Sequence, residues 1–228
     1  MVQAQYRLLT EELGLAGVHA VVGASMGGMQ ALQWGVSHPD FVKACVAMTP
    51  MAKTAPWAVM VTEAARSCLQ ADPAWTGSRF DGVPVRGWRA YTALMTALLS
   101  RTPTALAGML TGCEDAHAWF ERLVGRNREL GFDATDYLYQ SWAYEMHDVG
   151  TTPGFAGTGD ALASLRARTL ILAPGLDLFN PGDTAREAAA AIPGAEFVEI
   201  PSHEGHQAAT SQRAQDADFL NTTIRRFL

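Results

Sequence analysis

The residues Gly23-Ala24-Ser25-Met26-Gly27 fit the pattern G-x-S-x-G, in which a serine sits on a sharp turn between a strand and a helix. The chemistry this suits is nucleophilic attack. Small residues two before and two after the serine let strand and helix pass closely. The helix that starts beneath it turns a positive dipole end towards Ser25 and leaves the Met26 N–H to donate to a developing oxyanion. A serine hydroxyl is a poor nucleophile without a base, and the chain order that goes with this turn is Ser, then acid, then His. Asp177 follows a short buried strand, where ligands gather at the carboxyl ends of parallel strands. His206, preceded by Gly205, lies in the loop after the last expected strand. His206 is expected to take the Ser25 proton and return it, and Asp177 to orient the imidazole and stabilise its cation. His203 is the rival base and Asp183 the rival acid. Asp183 precedes Thr184 and suits a helix cap better, so Asp177 and His206 are preferred. The remaining histidines read as surface or lid residues. No His/Asp/Glu grouping has metal-ligand spacing, so neither a metal nor a bound cofactor is expected.

Such residues need a parallel sheet to bring them together. Residues 3–13 carry Tyr6, Leu8, Leu9 and Leu13 at helical spacing, with Gly14 as a stop. The uncharged run 18–22 reads as a buried strand ending at Gly23. A helix from Met26 runs to the break at His38-Pro39-Asp40, and a second strand covers 42–48. Residues 51–150 change character. Helical patterns at 57–69, 88–99, 116–130 and 136–146 are separated by turn-rich pieces, which predicts a helical lid insertion. Gly150 to Gly159 reads as the linker back. Sheet grammar resumes with a strand at 169–173, an alanine-rich helix at 184–191, an edge strand at 196–200 and a final helix at 213–227. The expectation is an α/β fold with a mostly parallel sheet and helices on both faces, built from 1–50 and 151–228, with 51–150 as the lid.

Bulk properties narrow the partners. With 48% hydrophobic residues the 228-residue chain can bury a sizeable interior, and its net charge of −6 argues against nucleic acid or an anionic membrane as a main partner. No stretch approaches ~20 uninterrupted apolar residues, and the N-terminus lacks the apolar run of a signal peptide. A cytoplasmic protein is expected. Cys45, Cys68 and Cys113 form no CxxC pair and read as buried small hydrophobes.

The stretch from Val21 to Trp34, with Ser25-Met26-Gly27-Gly28-Met29-Gln30-Ala31-Leu32 at its centre, is far more specific than the five-residue turn. It resembles the nucleophile segment of homoserine O-acetyltransferases and their relatives. Asp72-Pro73-Ala74-Trp75, the run from Phe132 to Leu138, and Gly205-His206 extend the resemblance over nearly the whole chain. The resemblance implies an α/β-hydrolase fold with a helical lid and a Ser25–Asp177–His206 triad. It also implies acyl transfer in two half-reactions, from a thioester such as acetyl-CoA to Ser25 and then to a small alcohol, with acyl-CoA as co-substrate rather than bound cofactor. Homodimers through the lid are common in that family, and an uncovered sheet edge would offer a second route to pairing. Three features depart from it. Gln207 stands where the family has an aspartate associated with the homoserine amino group, and a neutral amide holds an ammonium less strongly than a carboxylate does. Leu99-Ser100-Arg101 stands near the place of the family's Tyr-Arg-Ser. The chain also opens in the helix before the nucleophile strand, so the fold's earlier strands, and the loop supplying a second oxyanion donor, are expected to be missing. Two further readings stay open: a carboxylesterase or other hydrolase on the same triad, and a truncated, non-catalytic fragment or interaction module.

Overall fold

A computed structural model describes residues 1–210 and 212–228. Its centre is a four-stranded, all-parallel sheet in the order β1 (Val21–Ala24), β2 (Ala44–Met48), β3 (Arg168–Pro174), β4 (Glu196–Ile200). The register pairs Gly23 with Ala47, Ala47 with Ile171, and Ile171 with Phe197. Alternation along the two central strands sorts their side chains to opposite faces. Cys45, Ala47, Ile171 and Ala173 pack on one side with Leu32 and Trp34 of α2 (Met26–Ser37). That side also receives residues of two later helices numbered below. Ala44, Val46, Leu170 and Leu172 face the other side, where Leu220 and Phe227 of the C-terminal helix cover them. An uncharged strand buried on both faces is what a parallel sheet requires. Val22 of β1 is 51% exposed.

The first helix, α1 (Val2–Arg7), continues as a wider π-helical turn over Leu8–Glu12. Between β2 and β3 the chain forms α3 (Pro56–Gln70), α4 (Val85–Tyr91) with a π-helical continuation over Thr92–Leu99, α5 (Pro103–Met109), α6 (Cys113–Leu130), α7 (Ala134–Glu145) and α8 (Thr158–Ala163). Two more follow, α9 (Gly182–Ala191) and α10 (Ala214–Phe227). Among the described residues no helix is long and apolar enough to cross a membrane.

Several sequence expectations need correction. The first strand lies at Val21–Ala24 and runs through Gly23, while Val18 makes only an isolated bridge to Val42. Helix α5 was not expected. It starts because the Thr102 hydroxyl accepts the Ala105 N–H and Pro103 fills the first turn, a cap written in the sequence as Thr-Pro. The expected linker 150–159 is partly ordered structure, with a 3₁₀ turn at Val149–Thr151 and α8 starting at Thr158. Asp148 organises it by accepting from Gly150 N–H at 2.7 Å and the Thr158 hydroxyl at 2.8 Å. Of the cysteines only Cys45 is buried. Cys68 is half-buried and Cys113 exposed. Burial pushes the Cys45 thiol up to about 12.

Candidate active site

Ser25 follows β1 and caps α2 with φ 54° and ψ −121°. It and Thr49, at φ 46°, are the non-glycine residues with positive φ among the described residues. Each costs about 1–3 kcal/mol and persists only where the surroundings over-determine it. Two bonds hold Ser25, its N–H donating to Met48 O at 2.8 Å and to Thr49 Oγ1 at 3.3 Å. Gly23 makes the crossing of strand and helix feasible, since a Cβ there would lie 2.2 Å from Gly27 O. Met26 occupies the first helical position, where an N–H has no acceptor inside the helix.

The loop after β3 brings Asp177 to the same end of the sheet, and a 3₁₀ turn at Gly205–Thr210 brings His206. Gly205 has φ 64°, a conformation that costs glycine little. Segment 100–102 pins that turn. The Thr102 hydroxyl donates to His203 O, and Gln207 N–H donates to Ser100 O at 3.2 Å. The three candidate residues meet. His206 Nε2 lies 2.8 Å from Ser25 Oγ, and His206 Nδ1 lies 2.7 Å from Asp177 Oδ2. Asp177 Oδ1 accepts the N–H groups of Phe179 at 2.8 Å and Asn180 at 2.9 Å, which leaves Oδ2 for the imidazole. A carboxylate can only accept, so Nδ1 carries the ring proton and Nε2 is free to accept from serine. Both Asp177 and His206 are buried, and Phe179 meets the His206 ring edge-on at 4.9 Å. The rivals lie elsewhere. His203 is exposed, and Asp183 is exposed within the first turn of α9, whose cap is Pro181.

A cavity of about 180 Å³ has Ser25 and Met26 in its wall, together with Tyr91, Met95, Tyr144 and Phe179. Among the described residues in that wall none is charged. Burial raises the hydroxyl pKa of Tyr91, Tyr137 and Tyr144, the last helped by the negative charge of Asp177, so all three stay neutral. Behind the wall, the Arg66 guanidinium is satisfied by Ser141 Oγ at 3.2 Å, Glu145 Oε1 at 2.7 Å and the Glu63 carboxylate. Gln207 is absent from the wall, and the Thr210 hydroxyl donates to Gln207 O at 2.7 Å with Gln207 Oε1 3.2 Å away. Sequence reasoning missed Thr49, Thr102, Tyr144 and Asn180, and met Ser100 only within the departure Leu99-Ser100-Arg101. Only Thr102 carried a local signal, because the others act through contacts between distant segments.

Residues 1–209 match the family model described as the alpha/beta hydrolase fold. This chain belongs to the α/β-hydrolase family. It is 30% identical, over its whole length, to the homoserine O-acetyltransferase of Solidesulfovibrio magneticus, of which it covers 61%. Among solved structures it is similar to the acetyl esterase MekB, with 25% identity and a TM-score of 0.88 over 99% of this chain and 66% of that one. It is also similar to an acetylester hydrolase from Corynebacterium glutamicum, with 26% identity and a TM-score of 0.84 at the same coverage. The chain thus spans about three-fifths of the length of the curated relatives it matches.

Proposed function

We propose that this chain carries out serine-dependent acyl transfer through an acyl-enzyme on Ser25, moving an acyl group from a thioester such as acyl-CoA, or from an ester, to a small alcohol. The observation that carries the reading is the continuous hydrogen-bonded line from Ser25 Oγ through His206 to Asp177. His206 Nε2 removes the hydroxyl proton as Oγ bonds to the acyl carbonyl carbon. The oxyanion that forms meets the Met26 N–H, a donor of a kind worth about 3–4 kcal/mol where tested. Collapse breaks the bond to the leaving thiolate or alkoxide, which takes the proton from the imidazolium. An acceptor hydroxyl then repeats the sequence on the acyl-enzyme and releases Ser25. Asp177 stays ionised and stabilises the imidazolium throughout.

Hydrolysis, with water as acceptor, is the second reading, and two observations favour it. The described cavity wall holds no charged group to receive the ammonium or carboxylate of an amino-acid acceptor, and Gln207 is not among the wall residues. The resemblance to acetyl esterases supports the same reading.

The test is reaction with a fluorophosphonate, followed by product partition. Folded protein is expected to be labelled, Ser25→Ala not at all, and His206→Ala at least ~10³-fold more slowly. Equal labelling of Ser25→Ala would remove the nucleophile, and unimpaired labelling of His206→Ala would remove the base. With acetyl-CoA or an acetyl ester as donor, acetylated alcohol in the product marks transfer. Acetate release that no alcohol diverts, homoserine included, marks hydrolysis.

A further inference from the structure

The acid loop and the nucleophile turn come from segments about 150 residues apart, yet one buried side chain joins them. Asn180 is 2% exposed. Its Nδ2 donates to Thr49 O at 2.7 Å, its backbone N–H donates to Asp177 Oδ1 at 2.9 Å, and its Oδ1 accepts the Tyr144 hydroxyl. The amide orientation is fixed by its partners. Thr49 O can only accept, and the neutral Tyr144 hydroxyl is placed to donate, so nitrogen must face Thr49 and oxygen must face Tyr144.

Thr49 is the other end of this connection. It is a fully buried, β-branched residue at φ 46°, a conformation that β-branched side chains rarely adopt. Its N–H donates to Leu172 O at 2.7 Å, its carbonyl takes the Asn180 amide, and its hydroxyl oxygen accepts the Ser25 N–H at 3.3 Å. The two strained residues are therefore adjacent members of one network. Asn180 supplies the side-chain bond that ties Thr49 to the loop carrying Asp177. Asp177 fixes His206, and Thr49 helps fix Ser25, so the Ser25–His206 separation is set at both ends through Asn180.

We infer that Asn180 is a positioning residue for the reaction at Ser25, holding the acid loop in register with the nucleophile turn. The inference rests on the acyl-transfer reading and adds to it a residue that touches neither Ser25 nor His206. Tyr144, from the lid helix α7, braces the Asn180 amide from its far side but makes no part of the Thr49 link.

The test separates positioning from folding by measuring the maximal fluorophosphonate inactivation rate constant and the half-saturating probe concentration, each per titratable active site. For Asn180→Ala the rate constant is expected to fall roughly 10- to 100-fold, the scale on which small misplacements of reacting groups act. The half-saturating concentration should stay within about threefold. Asn180→Asp keeps the shape, and only its protonated carboxyl can donate to Thr49 O. Its rate relative to the unmodified protein is therefore expected to rise as pH is lowered, whereas the Asn180→Ala deficit should be flat with pH. A residue with a merely structural role would lower the melting temperature or the titratable fraction and leave the rate constant per site unchanged. That result in Asn180→Ala, or a pH-independent rate ratio in Asn180→Asp, overturns the inference. If the unmodified protein is not labelled at all, the acyl-transfer reading falls and this inference with it. Normal labelling of the unmodified protein and of Asn180→Ala alike sinks this inference alone.

Discussion

The two glycines of the Ser25 turn look equivalent in the motif, and the structure says they are not. A Cβ on Gly23 would sit 2.2 Å from Gly27 O and 2.3 Å from Gly27 C, both backbone atoms that cannot rotate away. Ordinary contact needs about 3.4 Å, so the first turn of α2 must withdraw by about 1 Å in Gly23→Ala. That turn carries Ser25 and the Met26 N–H, and a displacement of this size at reacting groups costs roughly 10²-fold in rate. Overpacking of this kind also costs about 1–3 kcal/mol, which for a chain of this length lowers the melting temperature by about 2–12 °C. Gly27→Ala is the control, because nothing lies within 4 Å of its added Cβ. Replacing a helical glycine with alanine gains up to about 1 kcal/mol, so melting should hold or rise, with labelling within about threefold. The assay is the fluorophosphonate rate per titratable site together with thermal melting. A Gly23→Ala variant that reacts and melts like the unmodified chain, or a Gly27→Ala variant equally damaged, would refute the reasoning.

Two further outcomes follow from buried charge. Among the described residues the buried His147 Nε2 has no hydrogen-bond partner, and burial pushes the His147 pKa below the ordinary 6.5. Between the two pKa values the unfolded chain binds a proton that the folded chain does not, so stability is expected to fall as pH drops below about 6.5. Melting temperatures from pH 7.5 to 5 should decline less steeply in His147→Gln, and identical slopes would exclude the effect. His38, also shifted down by burial, adds a slope of the same sign that the variant keeps. Arg66→Met removes the cation from between Glu145 and Glu63. Leaving an uncompensated, largely buried carboxylate costs about 3 kcal/mol, so calorimetry should show melting lowered by roughly 6–12 °C. An unchanged melting temperature would mean that Glu145 is solvated without Arg66.

The sheet was legible because β1, β2 and β3 beyond Arg168 are uncharged apolar runs, while β4 carries Glu196 and Glu199 among apolar residues as an edge strand does. The nucleophile turn was legible because a strained strand-to-helix reversal admits few residue types, and those types form a readable pattern. Asp177 and His206 followed from chain order and from their places after strands. What stayed hidden depends on contacts across sequence distance. Nothing local in Thr49 announces a left-handed backbone, since its conformation is imposed by Leu172, Asn180 and Ser25. Strand β1 was misplaced by three residues at its start because the apolar run begins at Val18, whereas pairing depends on where β2 lies alongside. The partly ordered segment 150–159 hid behind its glycines, because the organising group, Asp148, lies just outside them.

Strands β2 and β3 are neighbours in the sheet although the chain between them forms six helices. The entropy of closing so long a connection rises only with the logarithm of its length, and doubling it adds only about 0.6 kcal/mol. Length changes in the parts of that excursion that do not pack on the sheet therefore weigh little on its register, whereas Val149, Ala161 and Leu162 belong to the sheet's own core. The same excursion supplies Tyr91, Met95 and Tyr144 to the cavity, whereas Ser25, Asp177 and His206 all come from outside it. The excursion also holds Ser100 and Thr102, which pin the His206 turn, so changes near the cavity and changes to the Ser25–His206 geometry share one stretch of the gene, and drift there is free only at positions that touch neither.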